Sequence, residues 1–253
     1  MDNKTSKKLL QILPGPFKNV WRTYLKGRIS AYAQNDSLLY DTGILKQLHV
    51  DSYSQYGQDA FIYWMIFGGK KTEGGLFLDI GGNDPININN TYFFEQKGWT
   101  GLAFEPIKAQ ADKWEGVRKT PCYNVAIGMT EDEVEFTEED AHQHSGIGIT
   151  SEGEGSVKYK VRQRKLSNIL KENGIKHVDV VSLDVEGYEM NVLKGIDFNE
   201  VDITCFCIEN NEDGNLLPDL NLRKFMIEKG YRLIARLSID DIFVKNDYFK
   251  ATT

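Results

Sequence analysis

The stretch from Gly75 to Asn90, GLFLDIGGNDPININN, narrows the choice of fold more than any other part of the chain. Leu76, Phe77, Leu78 and Ile80 form a short apolar run bounded by glycines, the pattern of a strand buried on both faces of a parallel sheet. Asp79, Gly81, Gly82, Asn83 and Asp84 end that run abruptly. Paired glycines let a ligand approach the backbone, and the helix expected next, capped by Asn89 or Asn90, would aim its N-terminus into the same space. This reads as the first strand, loop and helix of a nucleotide-binding sheet. The loop is neither G-x-G-x-x-G nor G-x-x-x-x-G-K-[ST]. An acid just before the glycines suits a ligand whose near end is an amino acid rather than a pyrophosphate, and S-adenosylmethionine (SAM) is such a ligand. A turn made only for packing is the alternative for this stretch taken alone.

Further apolar runs extend the pattern. Gly101 to Pro106 is a second buried strand ending in Glu105, where nucleotide-binding α/β folds place an acid that accepts both ribose hydroxyls. Cys122 to Gly128 reads as a third strand whose exit, Asn124, Val125 and Ala126, would flank an adenine, although packing explains Val125 and Ala126 nearly as well. Val178 to Gly187 stays apolar until it emerges with Asp184 and Glu186. In an open parallel sheet the carboxyl ends of the strands border the ligand crevice, so Asp184 is expected to face the same cleft as Asp79 and Glu105. A strand over Ile203 to Ile208 ends at Glu209 and Asn210, which with Asp184 could supply oxygen ligands to Mg²⁺ or Ca²⁺; helix capping and a solvated loop are the alternative. Helices are expected over Thr91–Lys97, Ile107–Arg118, from Gly187 through Leu193, and over Leu220–Lys229, and the stretches Tyr231–Leu237 and Ile239–Val244 read as a closing hairpin. The sum is one α/β domain over 51–253: a Rossmann-like sheet of seven mostly parallel strands closed by a hairpin, as in class I methyltransferases.

The first fifty residues differ in kind. Leu9, Leu10, Ile12, Leu13, Val20, Trp21 and Leu25 interleave with Lys4, Lys7, Lys8, Lys18, Arg22, Lys26 and Arg28, the composition of a helical arm. It could lie on an anionic membrane surface or a partner, or pack on the domain with its basic face solvated. The chain as a whole carries a net charge of -7, which argues against a nucleic-acid-binding body. With no apolar run long enough to span a bilayer and no signal-peptide core, the expected location is cytoplasmic, with peripheral contact at the inner face of the membrane as the arm's further reading. Cys122, Cys205 and Cys207 lack zinc-ligand spacing and read as reduced core residues. In 131–154 there are nine acids and no Lys or Arg, and directly afterwards Lys158, Lys160, Arg162 and Arg164 alternate with Val157, Tyr159, Val161 and Gln163. An antiparallel pair with opposite charges facing across it follows, joined by a loop carrying His142, His144 and Ser145 that could act as a substrate lid. Gln58 and Asp59, in Ser52–Asp59 ahead of an apolar helix, could cap it or place amides over the ligand.

In this order the motifs SQYGQD at 54–59, FLDIGGNDP at 77–85, NTYFFEQKGWTGLAFEP at 90–106, NVAIG at 124–128, SGIG at 145–148, SLDVEGYEMNVLKGIDF at 182–198 and IEN at 208–210 resemble the FkbM-type SAM-dependent methyltransferases. The resemblance covers roughly Tyr53 to Val244. It implies SAM held by the 79–83 loop and Glu105, and methyl transfer to a hydroxyl of a sugar or natural product. Gly82 stands where the family usually has alanine, and Pro85 where it commonly has glycine, a variant similar to the branch associated with surface polysaccharide and glycan biosynthesis. The expected cofactor contacts are Gln58, Asp79, Gly81, Gly82, Asn83, Glu105, Pro106, Asn124, Val125, Ala126, Ser145 and Asp184. Asp184 is expected as base or metal ligand, Glu186 and Tyr188 as its support, and a sugar or glycan hydroxyl as acceptor. A SAM- or nucleotide-binding module without catalysis, or a methyltransferase of a non-sugar small molecule, are the other functions considered.

Overall fold

The computed structural model describes residues 52–69, 74–139, 145–148, 156–211 and 217–248. The basic arm at 1–50 and the His142 and His144 pair lie outside the described residues.

The described chain opens with α1 (Gln58–Phe61), which runs on into a π-helical turn over Ile62–Ile66. Then come β1 (Leu76–Ile80), α2 (Tyr92–Gln96), β2 (Thr100–Phe104) and α3 (Lys108–Ala111). Four short or polar strands follow: β3 (Cys122–Tyr123), β4 (Ala126–Ile127), β5 (Glu133–Glu138) and β6 (Gly146–Ile147). The remainder is β7 (Val157–Arg164), α4 (Leu166–Glu172), β8 (His177–Leu183), α5 (Glu189–Lys194), β9 (Asp202–Glu209), α6 (Leu220–Glu228), β10 (Tyr231–Leu237) and β11 (Asp240–Lys245). The main sheet has seven strands in the order β10-β11-β9-β8-β1-β2-β3. Only β11 is reversed, antiparallel to both β9 and β10, so the mostly parallel sheet and its closing hairpin are present as the sequence predicts.

Both faces of this sheet are covered, which is why its central strands are apolar throughout. Leu78, Ile80, Phe104, Val181 and Phe206 face one core, packed on Leu166, Ile169 and Leu170 of α4, Val192 and Leu193 of α5, and Leu222 and Met226 of α6. Phe77, Val180, Cys205, Cys207 and Ile242 face the other, against Ala60 and Phe61 of α1 and Phe93 and Phe94 of α2. Cys205 and Cys207 therefore share one face, buried and free, and Cys122 is half-buried and free.

The antiparallel pair of the polar segment is also present. Glu133 lies opposite Arg162 and Glu135 opposite Lys160, with Lys158–Glu135 and Lys160–Glu133 contacts of 3.7 and 3.9 Å. These exposed pairs serve register more than stability. The pair belongs to a second sheet, β4-β7-β5-β6, whose inner residues Phe136 and Val161 pack on Ile107 and Ala126.

Three elements depart from expectation. The third strand is two: Cys122–Tyr123 pairs with β2, but Ala126–Ile127 crosses to pair with Gln163 and Arg164 in the second sheet. Asn124 turns the chain there, its Nδ2 donating to the Glu105 and Pro106 carbonyls at 2.9 and 2.8 Å. The helix expected over Ile107–Arg118 is only α3 and a 3₁₀ turn over Asp112–Trp114, ended by Gly116 at φ 73°. Finally, α2 starts one residue late, at Tyr92, while the Asn89 side-chain oxygen accepts the N–H groups of Thr91 and Tyr92 at 2.9 and 2.8 Å and so closes the helix entry as expected. Among the described residues no helix is long and apolar enough to cross a membrane.

Candidate active site

The carboxyl ends of β1, β2 and β8 open onto one cleft, and the second sheet forms its opposite wall through Phe136, Gly146 and Ile147. The floor is the glycine loop. Gly81 has φ 85°, and a Cβ there would fall far inside contact distance of the Asp184 carbonyl oxygen. At Gly82 a Cβ would come 2.7 Å from the Trp114 ring. The N–H groups of Gly81 and Gly82 donate to the Phe104 carbonyl at 3.0 and 3.3 Å, which locks the end of β1 to β2. Only glycine permits both the positive φ and this close approach.

Glu105 stands at the end of β2 with 4% of its surface exposed. Its Oε2 accepts the Asn83 N–H at 2.9 Å and its Oε1 the Ile107 N–H at 2.7 Å. Each oxygen keeps a second lone pair for the cleft. Burial raises its pKa to about 7 in spite of those two donors. A carboxylate fixed in this way, beside a loop stripped of side chains, matches the needs of a nucleoside: two adjacent O–H donors to meet one bidentate acceptor, and an uncluttered backbone beneath. The residues present therefore fit SAM.

Beyond Glu105 the cleft wall carries Pro106, Ile107, Val125, Ala126 and Ile127, with Ser145 at the rim and Asn83 in the floor. Asp184, Val185, Glu186 and Tyr188 complete it, on the turn from β8 to α5. Glu186 adopts φ 52°, and Gly187 follows at φ 92°. Glu189 straightens the turn, one carboxylate oxygen accepting the N–H groups of Val185 and Gly187 at 3.1 Å each.

Carboxylates crowd this end of the cleft. Single oxygens of Asp184, Glu186 and Glu209 lie within 4.8 Å of one another. Asp184 opens onto the cleft, yet protein groups displace water from its carboxyl and push its pKa up, while its hydrogen bond with Glu209 pulls it down. Burial and the Asp184 charge drive Glu209 up to about 11 and Glu186 to about 8. A hydrogen bond between the two carboxyl groups of Asp184 and Glu209 needs a proton on one of them, and the crowding raises both.

Several expected contacts are placed elsewhere. Asp79 was expected around the same pocket as Glu105 and Asp184, but strand alternation puts it on the Phe77 side of the sheet, away from Ile80 and the cleft. There it is buried and accepts from Thr91 Oγ1 at 2.5 Å and Asn89 Nδ2 at 3.0 Å, close to Arg118. Asp79 fixes the loop from behind. Gly82 faces Trp114, whose Nε1 donates to the Asn83 carbonyl at 3.1 Å, and Asn124 stitches the exits of β2 and β3. Gln58 is buried, with Nε2 donating to Asp240 at 2.5 Å and Oε1 accepting the Tyr56 N–H at 2.8 Å, so it joins the 54–59 segment to the closing hairpin. Of the metal ligands expected, Asn210 is spoken for: Nδ2 donates to Asp241 at 2.7 Å and Oδ1 accepts the Asp219 N–H at 2.8 Å. Glu186 takes its place in the carboxylate group.

Sequence reasoning missed Ile107, Ile127, Phe136 and Ile147 as cleft residues. Phe136 had a signal, an aromatic at the dry phase of an otherwise charged strand. The others depend on how β4 leaves the main sheet, which no local pattern announces.

A model of the methyltransferase FkbM domain matches residues 79–233. Among solved structures, the methyltransferase FkbM from Methylobacillus flagellatus KT is similar at 12% identity and a TM-score of 0.43, covering 68% of this chain. The present chain spans only 43% of that protein's length. No curated protein matches. With the family model covering most of the chain, from the acid that opens the glycine loop to the first strand of the closing hairpin, the protein belongs to the FkbM methyltransferase family.

Proposed function

We propose that the protein is a SAM-dependent O-methyltransferase whose acceptor is a hydroxyl of a sugar or glycan. The observation that carries this reading is Asp184 and Glu186 opening into the same cleft as Glu105 and the glycine loop, with Glu209 beside them. Bound SAM supplies a methyl group activated by its sulfonium. The chain contributes position and proton transfer. Gly81 to Asn83 leave the backbone bare for the cofactor, and Glu105 takes its ribose hydroxyls through the free lone pairs of a carboxylate already clamped by two N–H groups. An alcohol must lose its proton as it attacks, and in-line geometry supplies most of the rest. Asp184, hydrogen-bonded to Glu209 at the mouth of the β8 turn, is the group placed to accept the hydroxyl proton when in its carboxylate form. Carboxyl groups ranged along the acceptor side also suit a polyhydroxylated partner, since their oxygens can accept several O–H groups.

Asp184, Glu186 and Glu209 are also the residues that would hold Mg²⁺, which would lower the pKa of a coordinated hydroxyl. Enzyme stripped with EDTA that still turns over at full rate assigns the step to Asp184 alone. The decisive test offers neutral saccharides and isotopically labelled SAM and looks for a methyl ether by mass spectrometry. Asp184→Asn is expected to abolish product, at least a hundredfold loss, with SAM affinity within threefold of wild type. SAM binding with no methyl ether on any hydroxylated acceptor would instead describe a binding module, and near-normal turnover by Asp184→Asn would remove Asp184 from the chemistry.

A further inference from the structure

We infer that Gln163 is a positioning residue that holds the Tyr188 hydroxyl with its proton aimed into the cleft, making Tyr188 a hydrogen-bond donor to the bound nucleoside. The inference rests on the reading of the cleft as a SAM site.

Gln163 lies on the inner phase of β7 with Tyr159 and Val161, and only 1% of it is exposed. A buried amide must have its donors and acceptor matched. Its Oε1 receives the Thr130 N–H at 3.1 Å and the Thr130 hydroxyl at 2.8 Å. A backbone N–H can only donate, so the amide cannot be flipped, and Nε2 is left facing Tyr188 Oη at 3.3 Å. An amide NH₂ can only donate as well. The phenol oxygen therefore accepts from Gln163, and its own proton must take the other in-plane position, away from Gln163.

Tyr188 lines the cleft, on the turn that also presents Asp184 and Glu186. Its ring is partly buried against the α4 and α5 core. The arrangement is built. Gly128 leaves room for the amide, because a Cβ there would come 2.5 Å from the Gln163 side-chain carbon. Gly195, after α5, is packed against the Gly128 carbonyl, where a Cβ would collide with that backbone oxygen. The wall that precedes Gly128 is Val125–Ile127, an apolar surface suited to a purine, whose ring nitrogens are acceptors that lack a partner in an apolar slot. A tyrosine O–H of fixed polarity satisfies one of them.

The test is a double-mutant cycle read by calorimetric binding of S-adenosylhomocysteine, with thermal unfolding of the unliganded variants alongside. Tyr188→Phe is expected to weaken binding about tenfold, the loss of one neutral hydrogen bond. Gln163→Glu keeps the size and the acceptor for Thr130 but turns an oxygen toward Tyr188, which then donates to it and away from the cleft; a similar loss is expected. In the Tyr188→Phe background Gln163→Glu should cost nothing more, because the donor is already gone. If Gln163 only fills space, its substitution will weaken binding equally in both backgrounds, and the inference falls. Unchanged affinity of Tyr188→Phe overturns it too. Should Gln163→Glu fail to fold, Gln163→Met in the same cycle gives the same contrast. A wild-type protein that binds neither SAM nor S-adenosylhomocysteine refutes the assignment of the cleft instead, a result distinct from any of these.

Discussion

Gly81 and Gly187 offer a matched pair for testing how the cleft floor is built. Both have left-handed backbones, φ 85° and 92°. A Cβ at Gly187 meets nothing within 4 Å, whereas at Gly81 it would collide with the Asp184 carbonyl oxygen and touch Val185 Cγ1 at 3.3 Å. Gly187→Ala should therefore cost only the conformational penalty, about 1–2 kcal/mol. Gly81→Ala adds to that penalty a clash with backbone, which no rotamer change can relieve. The ends of β1 and β8 must part, and the bonds at risk are Gly81 N–H to Phe104 O and Asp184 N–H to Ile80 O, both 3.0 Å. At about 1 kcal/mol each, their loss brings the total for Gly81→Ala to roughly 3–4 kcal/mol. Urea unfolding followed by tryptophan fluorescence and circular dichroism together measures both, with coincident transitions required before the difference is interpreted. Trp114, packed on Gly82, is a local reporter. Equal losses for the two substitutions would refute the claim that the glycine is demanded by the approach of β8 rather than by its φ alone.

Two further outcomes follow from the buried charges. Arg118→Met should cost about 3–5 kcal/mol in urea unfolding, because it leaves Glu95, paired at 3.0 Å, and Asp79 buried without their cation; a loss under 1 kcal/mol would show that the guanidinium is dispensable there. Asp240, buried, is raised from 3.8 to about 7, so between those values the folded state keeps a proton that the unfolded chain has released. Its contribution is full at low pH and is lost as pH rises through about 7, and Asp240→Asn, which retains an acceptor for Gln58, should reduce the fall in stability between pH 5 and 7 by about 1.4 kcal/mol per pH unit at most, while a steeper fall would contradict it.

The elements legible in the sequence were those whose chemistry is local. The apolar run before Gly81, the acid ending β2 and the emergence of Asp184 from β8 need only strand periodicity and the rule that ligands gather at carboxyl edges. Asp79 was misplaced although the same periodicity was available: Leu78 and Ile80 share one face, so Asp79 belongs with Phe77 on the other. The charged alternation of β5 and β7 announced their pairing, but not that the sheet they form would wall the cleft. That follows from the crossing of β4, set by Asn124 bonding to carbonyls 18 and 19 residues away. Asn210 was misjudged for a similar reason, since its partner Asp241 is 31 residues distant. Gln163 did leave a trace, as the polar exception in a dry phase.

The treatment of buried acids across the fold separates structure from function. Asp241 is met by Arg223 at 2.7 Å and Arg236 at 3.0 Å, and Asp79 lies in the field of Arg118. Asp59 receives the Ser52 and Ser54 hydroxyls and three backbone N–H groups at its carboxylate. Each of these acids has been given donors or a cation, as a buried charge requires. At the cleft the logic reverses. Burial, and then the Asp184 charge, raise Glu186, Glu209 and Asp240, so the fold gives up stability at neutral pH by holding carboxylates out of water and near one another. Packing does not need that arrangement, because the same positions filled by amides would keep the shape without the repulsion. Under the proposed function, a sulfonium entering the cleft would favour the ionised forms of these groups.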